Sequence, residues 1–438
     1  MKKILLVGSG AREHVIAETL KRSKEDVSII AYGRSKNPGI LKLATRYELG
    51  PVDKFEDLKK LAVEEKPDFA FIGPDNPIAD GAADALLDLE IHSVAPLQTV
   101  ARLESSKSFT RDLLAKYNIP GNPKFKVFFD EDNIREFIEN DLGGEYVVKA
   151  DGLMGGKGVK VSGEHLASIE EGVKYAADCL HKTGRVVIEE KFVGQEFSLM
   201  CFCDGENIAP MPAVQDHKRA FDGDKGPNTG GMGSYSDASH SLPFLKPGDI
   251  DAAIDITKQT TLALFEETGV LFKGIMYGGF IVTKNGVKLI EYNARFGDPE
   301  VMNVLPILKT DFVEICEAII KGNLNKLKVE FENKATVCKY IVPEGYPENP
   351  VKGAKIEVGN VPEGVKMYYS SVDQKEGGIY MSSSRAVAFV GIADTIHEAE
   401  KSAAGALASI SGPVFYRTDI GTDALIQQRI EMMKKIRS

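Results

Sequence analysis

Two rhythms of apolar and polar positions alternate along the first segment of the chain. KKILLVG (2–8), DVSIIAYG (26–33) and DFAFIGP (68–74) are short apolar runs closed by glycine, the signature of strands. Between them, REHVIAETLKRS (12–23) and DLKKLAVEEKP (57–67) return apolar residues every three or four positions, the helical period. Strands separated by helices imply a parallel, doubly wound sheet, so 1–105 is expected to form an N-terminal α/β domain. The pattern then predicts one helix from Leu103 to Tyr117, with Pro120 and Pro123 marking a boundary after it. Strand-like runs follow at 146–149, 159–161, on either side of Phe192-Val193-Gly194, and at 287–293. These place a central domain over 106–330. Residues 323–333 are charged and weakly periodic, as a linker is. Beyond them TVCKYIV (336–342), AVAFVGI (386–392) and the helical run 395–410 predict a small α+β domain over 331–438. An amphipathic helix over 427–438 ends it.

The richest chemistry lies in VKLIEYNARFGDPE (287–300). Strand alternation puts Val287, Leu289, Glu291 and Asn293 on one face, so Glu291 and Asn293 are expected side by side at a strand end. Hard cations such as Mg²⁺ take one or two such oxygens from the protein and the rest from phosphates and water. Arg295, at the strand exit, can grip a carboxylate or phosphate bidentately. Upstream, Gly152, Gly155, Gly156 and Gly158 surround Lys157 between two strand-like runs. Glycines admit backbone N–H groups close to phosphate oxygens, and the lysine adds positive charge. This is a strand–flap–strand lid and not a Walker A loop, because Lys157 precedes a glycine and a strand instead of opening a helix. Phe192-Val193-Gly194 reads as a hinge between strands, able to edge against a flat base. Glu196 begins the next strand, on the face of Ser198, Met200 and Phe202, where a carboxylate suits ribose hydroxyls as well as it suits a solvated strand end.

In that order the lysine strand, glycine flap, glutamate hinge and Glu-x-Asn strand resemble the ATP-grasp ligases. Within them, QDHKRAFDGDKGPNTGGMGSYS (215–236), NARFGDPE (293–300) and GSGAREH (8–14) resemble the glycinamide ribonucleotide synthetase family over essentially the whole chain. The resemblance implies that the central domain is an ATP-grasp, with a smaller, mobile part over about 121–195 and with ATP and Mg²⁺ (or Mn²⁺) as cofactors. It implies that ATP, glycine and 5-phosphoribosylamine become ADP, phosphate and glycinamide ribonucleotide through a glycyl phosphate, a step of purine biosynthesis. Lys107, in the family's Ser-Lys-x-Phe pattern, is implied at the nucleotide with Lys149, Gly155, Gly156, Lys157 and Gly158. Glu190, Val193 and Glu196 are implied on its base and ribose. Glu291 and Asn293 are the implied metal ligands. Arg295, Asp216 and Lys218 are implied at the reacting groups, with His217 and Asp298 binding substrate nearby. The pocket formed by Gly8, Gly10, Arg12, Glu13, Gly73, Pro74 and Asp75 is implied to receive the phosphoribosyl group.

Composition removes other classes. The 438 residues are 43% hydrophobic, enough for sizeable cores, and carry a formal net charge of −10. Nucleic-acid binders present basic faces instead. No run approaches the roughly 18 apolar residues of a membrane span. MKKILLV mimics a signal peptide for a few residues, then turns into the polar GSGAREH and reads as a buried first strand. Cys179, Cys201, Cys203, Cys316 and Cys338 contain no Cys-x-x-Cys pair, so they suit a reducing cytoplasm and buried core positions. A monomer or weak homo-oligomer acting on small molecules is expected. Three alternatives stay open. Gly8-x-Gly10 begins a dinucleotide fingerprint, although Glu13 stands where its third glycine belongs and Ala31-Tyr32-Gly33 replace the acid closing its second strand. A different ATP-grasp carboxylate–amine ligase and a non-catalytic nucleotide-binding regulator are the others.

Overall fold

Both faces of the first strands are apolar, and both are covered by helices. In the computed structural model, which describes residues 1–155 and 158–438, β1 (Lys2–Val7), β2 (Val27–Gly33), β3 (Arg46–Leu49), β4 (Phe69–Ile72) and β5 (Ser93–Val94) form one sheet. Every pairing is parallel, in the order β3-β2-β1-β4-β5. The order reverses at β1, and in such sheets ligands bind where the carboxyl ends of the strands part. The loops leaving β1 and β4 therefore sit side by side, as the doubly wound reading expects.

The helix expected over Leu103–Tyr117 is two helices, Gln98–Ser105 and Lys107–Lys116. Ser106 between them is extended, and its side chain accepts a hydrogen bond from the Phe109 N–H at 3.2 Å. A serine that caps a following helix breaks the preceding one. Lys107 thus opens a new helix.

The smaller half of the grasp has its own antiparallel sheet. It comprises β6 (Phe125–Phe128), β7 (Tyr146–Ala150), β8 (Val159–Val161) and β9 (Val186–Glu190), ordered β6-β9-β7-β8. Its core, with Phe128, Ile138, Tyr146, Val148 and Ile188, is separate from the others. Phe192-Val193-Gly194 follow as the link to β10 (Gln195–Cys203) and β11 (Ile208–Pro210). A Cβ on Gly194 would lie 2.0 Å from the Val282 carbonyl oxygen, so only glycine lets these backbones pass.

The chain next forms β12 (Gln215–Asp216), the hairpin β13 (Arg219–Phe221) and β14 (Lys225–Asn228), and β15 (Gly233–Ser236). After the helix Asp249–Thr268, β16 (Gly274–Thr283) and β17 (Gly286–Asn293) complete the larger sheet, ordered β11-β10-β16-β17. β18 (Ala335–Pro343) then pairs with β15, and β15 with β12. The sheet continues through Val387–Ala393 to Lys366–Tyr369. A boundary near 330 follows the course of the chain, but the C-terminal sheet crosses it and carries the QDHKR strand.

One expectation fails in β17. Gly279 pairs with Glu291 and Phe280 with Leu289, so Ile290 is an extra residue, a β-bulge. One inserted residue reverses which face later side chains take. Leu289 and Tyr292 are buried in the core beside the helix Asp249–Thr268, where the Tyr292 hydroxyl donates to Thr257 and Thr260 at 3.3 Å. Glu291 and Asn293 do not share the face of Val287 and Leu289; they point away from that core. All five cysteines are free and buried. No helix among the described residues is long and apolar enough to cross a membrane.

Candidate functional site

The loops after β1 and β4 meet around Glu13. Arg12 donates to the Gly73 carbonyl at 2.8 Å, joining GSGAREH to Gly73-Pro74-Asp75. Three backbone N–H groups of this pocket are engaged within the protein: Gly8 with Tyr32, Gly73 with Val7, and Gly10 with Glu13. Glu13 fills the space the glycines leave, since a Cβ on Gly8 or Gly73 would lie within 2.5 Å of its carboxyl group. Its Oε1 is buried without a hydrogen bond, 4.0 Å from the Arg12 guanidinium, and burial raises its pKa against the pull of Arg12. The pocket therefore offers a carboxylate and the Arg12 side chain, a pairing suited to hydroxyls. It is a poor cradle for a dinucleotide pyrophosphate, which needs those N–H groups free.

Glu291 projects among cations. Burial pushes its carboxyl up, but Lys218, then Lys107, Lys149 and Arg295, outweigh that and hold it below the usual range. In this arrangement the Asn293 Oδ1 accepts from Arg295 at 2.9 Å. Arg295 also pairs with Glu104 at 3.1 Å and lies near Asp75, and these acids hold it protonated despite burial. Among the described residues no group of three or more His, Cys, Asp or Glu side chains forms a complete metal centre. A charged carboxylate and one amide oxygen, ringed by cations that attract phosphates, fit a magnesium ion that takes its other ligands from phosphate and water.

Behind Lys218 lies an acidic recess. Asp216 is pushed well above the carboxylate range by burial and by neighbouring Glu300. Glu300 is buried and accepts from the Ser198 hydroxyl at 2.9 Å and the Tyr277 hydroxyl at 2.5 Å. Lys218 is 3.8 Å from Glu196, which with Glu291 and Asp216 keeps it charged against burial. His217 does not join them. Strand alternation turns it to the other side, against Tyr235 and near Arg429, Asp224 and Arg417. There burial, then Arg429, lowers its pKa to about 3, and neither ring nitrogen has a partner. Asp298 is held by the C-terminal domain, accepting from Tyr340 at 2.6 Å and pairing with Arg385 at 3.2 Å.

At the hinge, Val193 is 58% exposed, a large apolar surface. Glu190 accepts from the Lys124 N–H at 2.8 Å. Lys149 is buried against Glu189 and donates to the Ile290 carbonyl at 2.9 Å. Lys107 donates to the Gly152 carbonyl at 2.8 Å, at the base of the glycine loop. There Asp151 caps the helix Lys107–Lys116, accepting from the Lys107 N–H at 2.5 Å and the Ser108 N–H at 3.2 Å. Gly152 and Gly155 adopt positive φ, +119° and +54°. Gly156 and Lys157 lie outside the described residues, and Gly158 adjoins them.

Models of one family match the chain in three consecutive pieces: the phosphoribosylglycinamide synthetase N domain over 2–104, its ATP-grasp (A) domain over 105–301 and its C domain over 336–423. The chain belongs to the phosphoribosylglycinamide synthetase family. Within it, the phosphoribosylamine–glycine ligase of Methanosarcina barkeri is 49% identical over 435 residues, 99% of this chain and 100% of that protein. The crystal structure of phosphoribosylamine–glycine ligase from Thermotoga maritima superposes with a TM-score of 0.79 at 28% identity, covering 95% of this chain and 100% of that one. The biotin carboxylase domain of Hydrogenobacter thermophilus 2-oxoglutarate carboxylase, solved with magnesium ADP, shares the fold at 16% identity. Its TM-score is 0.73, and the match covers 99% of this chain and 94% of that one.

Several residues of this synthetase-family cleft escaped the sequence reading. Glu300 lay inside NARFGDPE and Ser198 on the face of Glu196, so both carried a local signal. Glu104, Glu189 and Arg111 carried none, because each is an isolated charge whose partner is distant in the chain.

Proposed function

We propose that this cleft joins glycine to 5-phosphoribosylamine, converting ATP to ADP and phosphate and yielding glycinamide ribonucleotide for purine biosynthesis. The observation that carries the reading is the convergence of both ends of the run 215–236 with GDPE (297–300). A Cβ on Gly231 of GPNTGGMG would lie 2.6 Å from both Asp216 of QDHKR and Pro299 of GDPE. Carboxylates are poor acyl donors, so the γ-phosphoryl group of ATP passes first to the glycine carboxylate. The amine of phosphoribosylamine attacks the resulting glycyl phosphate, and phosphate leaves. Such chemistry asks the protein chiefly for positioning and charge neutralisation.

Arg295 and Lys218 orient the glycine carboxylate and then the acyl phosphate, with Asp216 behind them. Lys107 and Lys149 face the phosphate chain, and the loop that Gly155 and Gly158 bound serves to exclude water that would hydrolyse the intermediate. Glu190, Val193 and Glu196 meet the base and ribose. Glu291 and Asn293 would hold Mg²⁺ or Mn²⁺, which when bound would spread phosphate charge. Arg12, Glu13, Gly73, Pro74 and Asp75 line the phosphoribosyl pocket. Asp298 keeps that pocket in register with the C-terminal domain. The reading places the enzyme in the cytoplasm as a monomer or weak homo-oligomer, in keeping with its buried free thiols.

The test is ADP release with glycine, with and without phosphoribosylamine formed in situ from ribose 5-phosphate and ammonia. Release that requires both substrates is expected. Release with bicarbonate or another carboxylate in place of glycine would assign a different ligase.

A further inference from the structure

Arg111 is a buried arginine with no place in the chemistry above, yet it joins three of the elements that perform it, the helix it stands on and two strands. It stands on the helix Lys107–Lys116 and is 2% exposed. Its Nε and one terminal nitrogen donate to the two oxygens of Glu189 on β9, at 2.7 and 3.1 Å. Its terminal nitrogens also reach the carbonyls of Leu289 and Ile290 on β17, at 3.1 and 2.6 Å. Those carbonyls flank the bulge that turns Glu291 toward the cleft. Lys149 shares both partners, lying against Glu189 and donating to the Ile290 carbonyl.

A buried ion pair is a weak source of stability, because desolvation offsets most of the attraction. A fully bonded network of this kind serves better to fix geometry. Glu189 is held below the usual carboxylate range, Arg111 and then Lys149 outweighing burial. With two cations on one carboxylate, either can leave without stranding a bare buried charge. Only Lys149 has somewhere to go, since Arg111 is also tied to two carbonyls.

We propose that Arg111 is a positioning residue that neutralises Glu189, so that Lys149 can exchange onto a nucleotide phosphate, while holding the Leu289–Ile290 bulge that aims Glu291. This rests on the reading of Lys149 as a nucleotide ligand. Without Arg111, Glu189 has Lys149 as its remaining cation, and the lysine is trapped as a buried ion pair.

The test is direct binding of ATP with magnesium to the full-length protein, in R111M, R111M/E189Q, R111K and K149M. R111M should weaken ATP binding by at least about tenfold, because Lys149 could then reach a phosphate only by leaving Glu189 buried and unpaired. R111M/E189Q should bind ATP more tightly than R111M, because removing the carboxylate releases Lys149. A brace of purely structural kind predicts the opposite order, with the double variant no better than the single. R111K keeps the charge but not the fork that spans Glu189 and both carbonyls. It should retain ATP affinity within about threefold while raising the magnesium concentration needed for half-maximal activity. If R111M does not fold by circular dichroism, R111K decides alone, and an unchanged magnesium requirement overturns the proposal. Unchanged affinity in R111M, or no recovery in the double variant, also overturns it. Unchanged affinity in K149M would instead remove the nucleotide reading on which it stands.

Discussion

Glu13, in the first turn of the helix Ala11–Lys21, turns its carboxylate back onto the N–H of Gly10, 2.6 Å away, and leaves its second oxygen buried without a hydrogen bond. An acceptor held this way waits for a donor, and ribose hydroxyls are the donors the proposed substrate brings. Glu13→Gln should raise KM for phosphoribosylamine by about ten- to a hundredfold, the worth of one hydrogen bond to a charged group. ATP affinity should hold, because the residues proposed for the nucleotide lie outside the N-terminal sheet. Steady-state kinetics beside calorimetric ATP titration separates the two. A matching fall in ATP affinity would place the nucleotide on the N-terminal sheet.

Glu291 is the one carboxylate expected to carry the metal, with Lys218, Lys107 and Lys149 keeping it charged. Glu291→Gln should lower kcat by several orders of magnitude, since the metal's share of transition-state stabilisation is several kcal/mol. Thermal unfolding should change little. Recovery of wild-type turnover at saturating magnesium would sink the assignment.

Gly231 has φ +111°, a conformation that L side chains rarely adopt, and a Cβ there would lie 2.6 Å from Asp216 and Pro299. Gly231→Ala should cost about 1–3 kcal/mol in backbone strain and displace Asp216. Turnover should fall at least about tenfold, while ATP binding changes less than threefold. Near-normal kcat in a folded variant would show that Asp216 tolerates movement and is remote from the reaction.

His14 is buried where the N-terminal and C-terminal domains meet, and its Nδ1 accepts from the Tyr369 N–H at 3.0 Å. Burial lowers its pKa to about 4, with Lys42 adding to the shift and Glu18 opposing it. The unfolded chain, with an ordinary histidine, binds the proton first as pH falls. Stability therefore drops between about pH 6.5 and 4, by up to about 3 kcal/mol in total. In His14→Asn, the fall in Tm between pH 7 and pH 5 should be smaller than in the wild type. An equal fall would place the acid sensitivity in another group.

Local order was legible in the chain. The parallel N-terminal sheet, the glycine-bounded loops, the hinge before Gln195 and the synthetase-family motifs each depend on residues near one another, whose periods and turn chemistry are written consecutively. Which way side chains face depended on tertiary pairing. Ile290 becomes a bulge only because β17 must match β16 at Gly279 and Phe280, and that single insertion sends Glu291 and Asn293 to the cleft. His217 sits between two site residues in sequence yet turns away, because pairing of β12 with β15 sets its face. The pairs Arg111–Glu189 and Arg295–Glu104 join residues 78 and 191 positions apart. Nothing local marks such a partner. A charge becomes a network member only when burial removes water and leaves one distant group to satisfy it.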